Sequence, residues 1–108
     1  MSQVTTHVLD AALGSPARGV RVVLSRGDGT QVAAGVTDGA GRIGDLGPDR
    51  LDAGTYRLSF DTGEYFAGTG RATFYPAVSI DFTVADVGQH YHVPLLLSPY
   101  SYSTYRGN

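Results

Sequence analysis

Val78-Ser79-Ile80-Asp81-Phe82-Thr83-Val84 decides the fold class, because apolar side chains take every second position along the whole stretch. Successive side chains of a strand point to opposite faces, so this spacing sends Val78, Ile80, Phe82 and Val84 into a core and their neighbours outward. Tyr56-Arg57-Leu58-Ser59-Phe60 repeats the pattern. Val20-Arg21-Val22-Val23-Leu24 and Gln31-Val32-Ala33-Ala34-Gly35-Val36 are shorter strands, and Arg26-Gly27-Asp28-Gly29 between them is the glycine-rich turn of a hairpin. Strands over residues 4–9 and 89–98 complete a pair of sheets. Thr62-Gly63-Glu64-Tyr65-Phe66-Ala67, ended by Gly68, makes one short helix that exists only by packing on a sheet. The expected architecture is all-β: an antiparallel β-sandwich of two sheets, Greek-key connected, with one short helix, forming a single domain over residues 1–108.

The 108 residues suffice for a core without staples, since a chain of this size buries roughly two-thirds of its surface on folding. Cysteine is absent, which excludes disulfides, thiolate zinc sites and cysteine catalysis. All 8 basic residues are arginine, so lysine nucleophiles and Schiff bases are excluded as well. Against 10 acidic residues they leave a net charge of −2, which argues against nucleic acid or an anionic membrane as partner. No apolar run approaches the ~20 residues of a membrane span. Residues 1–9 lack the basic start and apolar core of a secretory signal, and a cytoplasmic location is expected.

Candidate chemistry centres on the 3 histidines. His90 and His92 flank Tyr91, and in a regular strand both imidazoles leave one face and Tyr91 the other. His7 lies mid-strand near the opposite end of the chain. Three readings stand open on the residues alone. Each histidine can be an ordinary strand residue. His-x-His with His7 can be a three-ligand metal site keeping one position for water. The imidazoles can also do metal-free acid–base work near neutral pH. Other apparent motifs fail: Gly39-Ala40-Gly41 and Gly68-Thr69-Gly70 lack the third glycine and helix of a phosphate cradle, and no serine sits in a nucleophile elbow. The ending Ser98-Pro99-Tyr100-Ser101-Tyr102-Ser103-Thr104-Tyr105 is richer in aromatic and hydroxyl groups than a frayed tail, which suggests packing against a neighbouring strand or subunit.

That ending, with His90-Tyr91-His92-Val93-Pro94-Leu95-Leu96-Leu97 before it and Arg106-Gly107 after it, resembles the 5-hydroxyisourate hydrolase family, the transthyretin-related enzymes of urate breakdown. Thr6-His7-Val8-Leu9-Asp10 resembles the family's opening motif and Thr37-Asp38-Gly39-Ala40-Gly41-Arg42 its middle element. The match covers nearly the whole chain. Transthyretin shares the Ser-Pro-Tyr-Ser-Tyr-Ser-Thr stretch but not the histidines or the arginine–glycine ending.

The resemblance implies a transthyretin-like β-sandwich assembled as a homotetramer, a dimer of dimers, with active sites in a channel at the dimer–dimer interface. It implies hydrolysis of 5-hydroxyisourate to 2-oxo-4-hydroxy-4-carboxy-5-ureidoimidazoline, with no metal or organic cofactor. The matching catalytic residues are His7, Arg42 and His92, with Tyr105, Arg106, Gly107 and Asn108 at the substrate. An arginine beside two imidazoles depresses their pKa and keeps them basic at neutral pH. His90 is expected to be a neighbour of the site. Asn108 departs from the family's usual terminal serine; its amide keeps a donor and an acceptor for polar contacts. The competing expectation is a transthyretin-like protein that binds a small ligand without turnover.

Overall fold

The computed structural model describes residues 2–108. It contains eight strands and one helix: β1 (Val4–Asp10), β2 (Ser15–Pro16), β3 (Arg21–Arg26), β4 (Gln31–Val36), β5 (Gly54–Phe60), α1 (Thr62–Gly68), β6 (Val78–Val84), β7 (Tyr91–Ser98) and β8 (Ser101–Thr104). Two four-stranded sheets form, in the orders β2-β1-β7-β8 and β4-β3-β5-β6. The all-β sandwich expected from the alternating runs is therefore present, and β6 spans the stretch that announced it.

One pairing departs from the antiparallel expectation. β1 and β7 run parallel, with Val4 opposite Tyr91 and Asp10 opposite Leu97, whereas every other described ladder is antiparallel. Parallel strands need a long crossover, and here the chain crosses the whole second sheet between β1 and β7. Alternating side chains place residues on a face; they do not tell which way a strand runs. The β3–β4 hairpin turns where expected, with Gly29 at φ +93° and Thr30 N–H donating to Asp28 Oδ1 at 2.9 Å.

The core lies between the sheets. Val8, Val22, Leu24, Leu58, Leu95 and Leu97 have no accessible surface. Burying such a side chain contributes about 1.5–3 kcal/mol each, so the sandwich is held chiefly by these inward rows. Phe82 is only partly buried, because β6 is an edge strand; its ring rests at 6.3 Å from that of Tyr56. α1 is capped by the Asp61 carboxylate, which accepts from Glu64 N–H at 3.4 Å, and it pins itself to the core through the fully buried Phe66.

A charged group also sits inside. Asp10, at the end of β1, is fully buried and accepts hydrogen bonds from Tyr65 Oη at 2.7 Å, from Arg71 Nη2 and from Leu13 N–H at 3.0 Å. Burial alone pushes its carboxyl up. The bonds from Arg71, Tyr65 and Leu13 outweigh that and hold it below the usual carboxylate range. This cluster ties α1 and the segment after it to β1.

Candidate active site

β1 alternates buried and half-buried residues over its whole length, so Thr5, His7 and Leu9 lie on the outer face of the β2-β1-β7-β8 sheet. On β7, Tyr91, Val93, Leu95 and Leu97 face the core and His92 faces outward. The parallel register sets Thr5 opposite His92 and His7 opposite Pro94. His7 and His92, from distant parts of the chain, are thus diagonal neighbours on one outer face. His90 lies just before β7; its ring centroid is 6.5 Å from that of His92, which agrees with a shared face.

Arg42 is delivered by a loop. Asp38 organises that loop: its Oδ1 accepts from the N–H groups of Ala40 (2.9 Å) and Arg42 (3.1 Å), and its own N–H donates to the Arg42 carbonyl at 2.8 Å. Gly41 takes φ +75°, and any Cβ there would run into the Val8 carbonyl and come within 3.3 Å of His7 Cδ2. Only glycine lets the loop press against β1 so closely. Val8 N–H donates to the Gly41 carbonyl at 2.8 Å, His7 Nε2 bonds the Ala40 carbonyl at 2.9 Å, and His7 and Arg42 form a backbone bridge.

The tail closes the other side. Gly107 N–H donates to the His92 carbonyl at 2.8 Å, in a bridge between the two residues. Arg106 turns toward Tyr91: its Nη2 donates to Gln89 Oε1 at 2.9 Å and to the His90 carbonyl at 3.3 Å, and its guanidinium lies 4.5 Å from the Tyr91 ring centroid. Tyr105 faces a neighbouring groove bordered by Ile80, Phe82 and Tyr91. Of the four tail residues expected at the substrate, Asn108 lines the cleft with Arg42 and His92 and Gly107 packs on His92, whereas Tyr105 and Arg106 border the neighbouring groove beside Ile80 and Phe82.

An open cleft of about 440 Å³ is walled by Thr5, Asp38, Arg42, His90, His92 and Asn108, while His7 lies beside it with its Nε2 on the Ala40 carbonyl. A small heterocycle fits such a volume. Burial pushes the His92 imidazole below its ordinary value of 6.5, and the Arg42 guanidinium, His7 and His90 push it further down, against a smaller upward pull from its hydrogen bond to Thr5. His92 is therefore a neutral base at pH 7. Arg42 offers a fixed positive charge and a planar set of donors. Together they can deprotonate a water and stabilise an oxyanion. Among the described residues, no three His, Cys, Asp or Glu side chains come together as a metal site.

Three contributors escaped the sequence reading. Thr5 was within reach of it, because alternation places it on the His7 face. Asp38 and Gly41 are turn-forming residue types, but their contacts with Arg42 and β1 exist only in the folded loop.

The HIUase/Transthyretin family model matches residues 4–107. A 5-hydroxyisourate hydrolase of Caulobacter vibrioides is 48% identical, with 100% of both chains covered. The solved 5-hydroxyisourate hydrolase of Klebsiella pneumoniae superposes with a TM-score of 0.89 at 43% identity, covering 97% of this chain and 98% of that one. Sea bream transthyretin in complex with thyroxine superposes with a TM-score of 0.91 at 37% identity, covering 97% and 94%. Enzyme and transthyretin thus share the backbone almost equally, and the side chains of the cleft must separate them.

Proposed function

The chain belongs to the HIUase/transthyretin family, and on that premise we propose that its cleft hydrolyses 5-hydroxyisourate to 2-oxo-4-hydroxy-4-carboxy-5-ureidoimidazoline, in urate degradation, with His7, Arg42 and His92 as the working residues. The observation that carries this reading is a pKa-depressed imidazole and a guanidinium lining one cleft, with a second imidazole diagonal to the first on the same sheet face. A ligand carrier gains nothing from a base held neutral beside a fixed positive charge.

In the proposed reaction the imidazole pair takes a proton from water as the oxygen adds to the ring carbonyl. The resulting oxyanion is stabilised by the Arg42 guanidinium. The C–N bond then breaks, its electron pair goes to nitrogen, and the imidazolium returns the proton to that nitrogen. The carbonyl carbon becomes the carboxyl group that the product retains. The chain's own residues supply every proton transfer, and the proposed reaction is written without a metal or organic cofactor. Gly107 and Asn108 border the substrate, and Arg106 anchors the tail on Gln89 and the His90 carbonyl.

The assembly proposed is a homotetramer, a dimer of dimers, in the cytoplasm. Support comes from the large apolar side chains left exposed on one protomer, among them Leu13, Phe74, Tyr100 and Tyr105, which a subunit interface would cover. No helix is long and apolar enough to cross a membrane among the described residues.

The test is the ultraviolet decay of 5-hydroxyisourate, freshly generated from urate, with and without the protein in the presence of EDTA. A decay clearly faster than the spontaneous one supports a metal-free hydrolase and shows Asn108 to be tolerated. A spontaneous rate in the presence of folded protein overturns the reading.

A further inference from the structure

The Thr5 hydroxyl bonds two imidazoles at once: His92 Nδ1 at 2.8 Å and His90 Nε2 at 2.8 Å. The strand register holds it there, since Thr5 is the direct neighbour of His92 across the β1–β7 ladder. Threonine is stiff about its first side-chain torsion, so the hydroxyl stays where the register puts it.

A hydroxyl has one proton to donate and two lone pairs with which to accept. Besides an arrangement in which both imidazoles donate to it, His92 again through Nδ1–H, two arrangements let it satisfy both rings. In one, His92 Nδ1–H donates to Thr5, and Thr5 passes its own proton to His90 Nε2; His92 Nε2 then carries a free lone pair. In the other the chain runs backwards, and His92 Nε2 carries the proton. The surroundings separate the two. His92 shares the cleft with the Arg42 guanidinium, whose charge the ring feels. A lone pair on the cleft-facing nitrogen is attracted by that charge, whereas an N–H dipole there is repelled. The ring's other surroundings point the same way: Nδ1 is engaged by Thr5 and Cδ2 is covered by Gly107, which leaves Nε2 to the cleft.

We propose that Thr5, backed by His90, is a positioning residue that holds His92 as the Nδ1–H tautomer and so keeps Nε2 unprotonated toward the substrate's water. The catalytic part of this statement rests on the hydrolase reading above. The tautomer part does not, and can be measured without substrate. The hydrogen bond to one ring nitrogen sets which form the other presents. His90 thereby acquires a function that its exposed position alone does not suggest.

The experiment compares the wild-type protein with Thr5→Val, which keeps the shape and loses the hydroxyl, and Thr5→Ser, which restores it. Long-range ¹H–¹⁵N correlation spectra of the imidazoles, assigned with His90→Ala, report each tautomer. In the wild type His92 shows a protonated Nδ1 and an unprotonated Nε2. In Thr5→Val the His92 signals shift toward the other tautomer, kcat falls roughly 5- to 10-fold, the bias one hydrogen bond supplies, and KM stays within about 2-fold. Thr5→Ser recovers both readouts, and melting temperature and oligomeric state serve as controls of the fold. A wild-type His92 protonated at Nε2 overturns the proposal, as does a Thr5→Val protein with unchanged tautomer and unchanged kcat. If the wild type does not accelerate substrate decay, the hydrolase reading fails, while the spectra still decide the tautomer assignment.

Discussion

Gly107 and His92 sit so close that a Cβ added to the glycine would come within 2.5 Å of the imidazole Cδ2, while its N–H bonds the histidine carbonyl at 2.8 Å. The last strand-like contact of the chain therefore depends on the absence of a side chain. Gly107→Ala should push the ring or the tail aside. The expected result is a fall in kcat/KM of about 10-fold or more, since small displacements of reacting groups are costly, with melting temperature nearly unchanged. Steady-state kinetics beside a thermal melt will show it; a fully active Gly107→Ala enzyme would remove the tail from the site.

His7→Ala and His92→Ala should each remain folded, because both side chains lie on an outer face rather than in the core. Turnover should drop by about 10²-fold or more in each, the usual contribution of a positioned acid–base group. Near-normal rates in both variants would eliminate the imidazole mechanism.

The pH dependence follows from His92. Its folded pKa lies below 6.5, first from burial and next from Arg42. In the unfolded chain it binds a proton more readily, so its contribution to stability is full above pH 6.5 and is lost as pH falls toward the folded value. The acid limb of activity should accordingly lie below pH 6.5. Arg42→Gln removes the second of the two main causes, so the His92 titration followed by NMR should move up toward its ordinary value. A titration that stays put would show that Arg42's charge does not reach the ring.

Arg71→Ala tests the buried carboxylate. Asp10 would keep Tyr65 and Leu13 as partners but lose its counter-charge, at a cost of about 3 kcal/mol. Because the Asp10 pKa is lowered on folding, its contribution is present above the ordinary value of 3.8 and disappears as pH falls through the depressed one. Denaturant melts at pH 7 and pH 3 should therefore differ more for the wild type than for Arg71→Ala. Equal differences would mean that the pair carries no pH-dependent stability.

Gly41→Ala should disturb the loop that presents Arg42, through both its left-handed backbone and the contact with Val8. A loss of about 1–3 kcal/mol is expected, together with a raised KM. An unchanged KM would place Arg42 outside substrate binding.

Much of this molecule is legible in its residues, because local rules suffice for it. Alternation in residues 78–84 and 56–60 requires two-faced strands, and it correctly set Val78, Ile80 and Val84 inside. Glycine at the hairpin and the Asp61-capped run at α1 are equally local. The motif around His7, Arg42 and His92 was readable too, though only as a likeness of pattern.

Tertiary structure alone decided what those residues do to one another. Strand direction is not encoded in alternation, so the parallel β1–β7 ladder, which brings Thr5 to His92, could not be read. The Asp38 loop, the turning of Arg106 toward Tyr91 and the burial of Asp10 all depend on contacts between segments remote in sequence. The physical reason is range: side-chain periodicity is set by bonds between neighbours, whereas an imidazole's pKa and tautomer are set by charges and hydroxyls that only folding brings near.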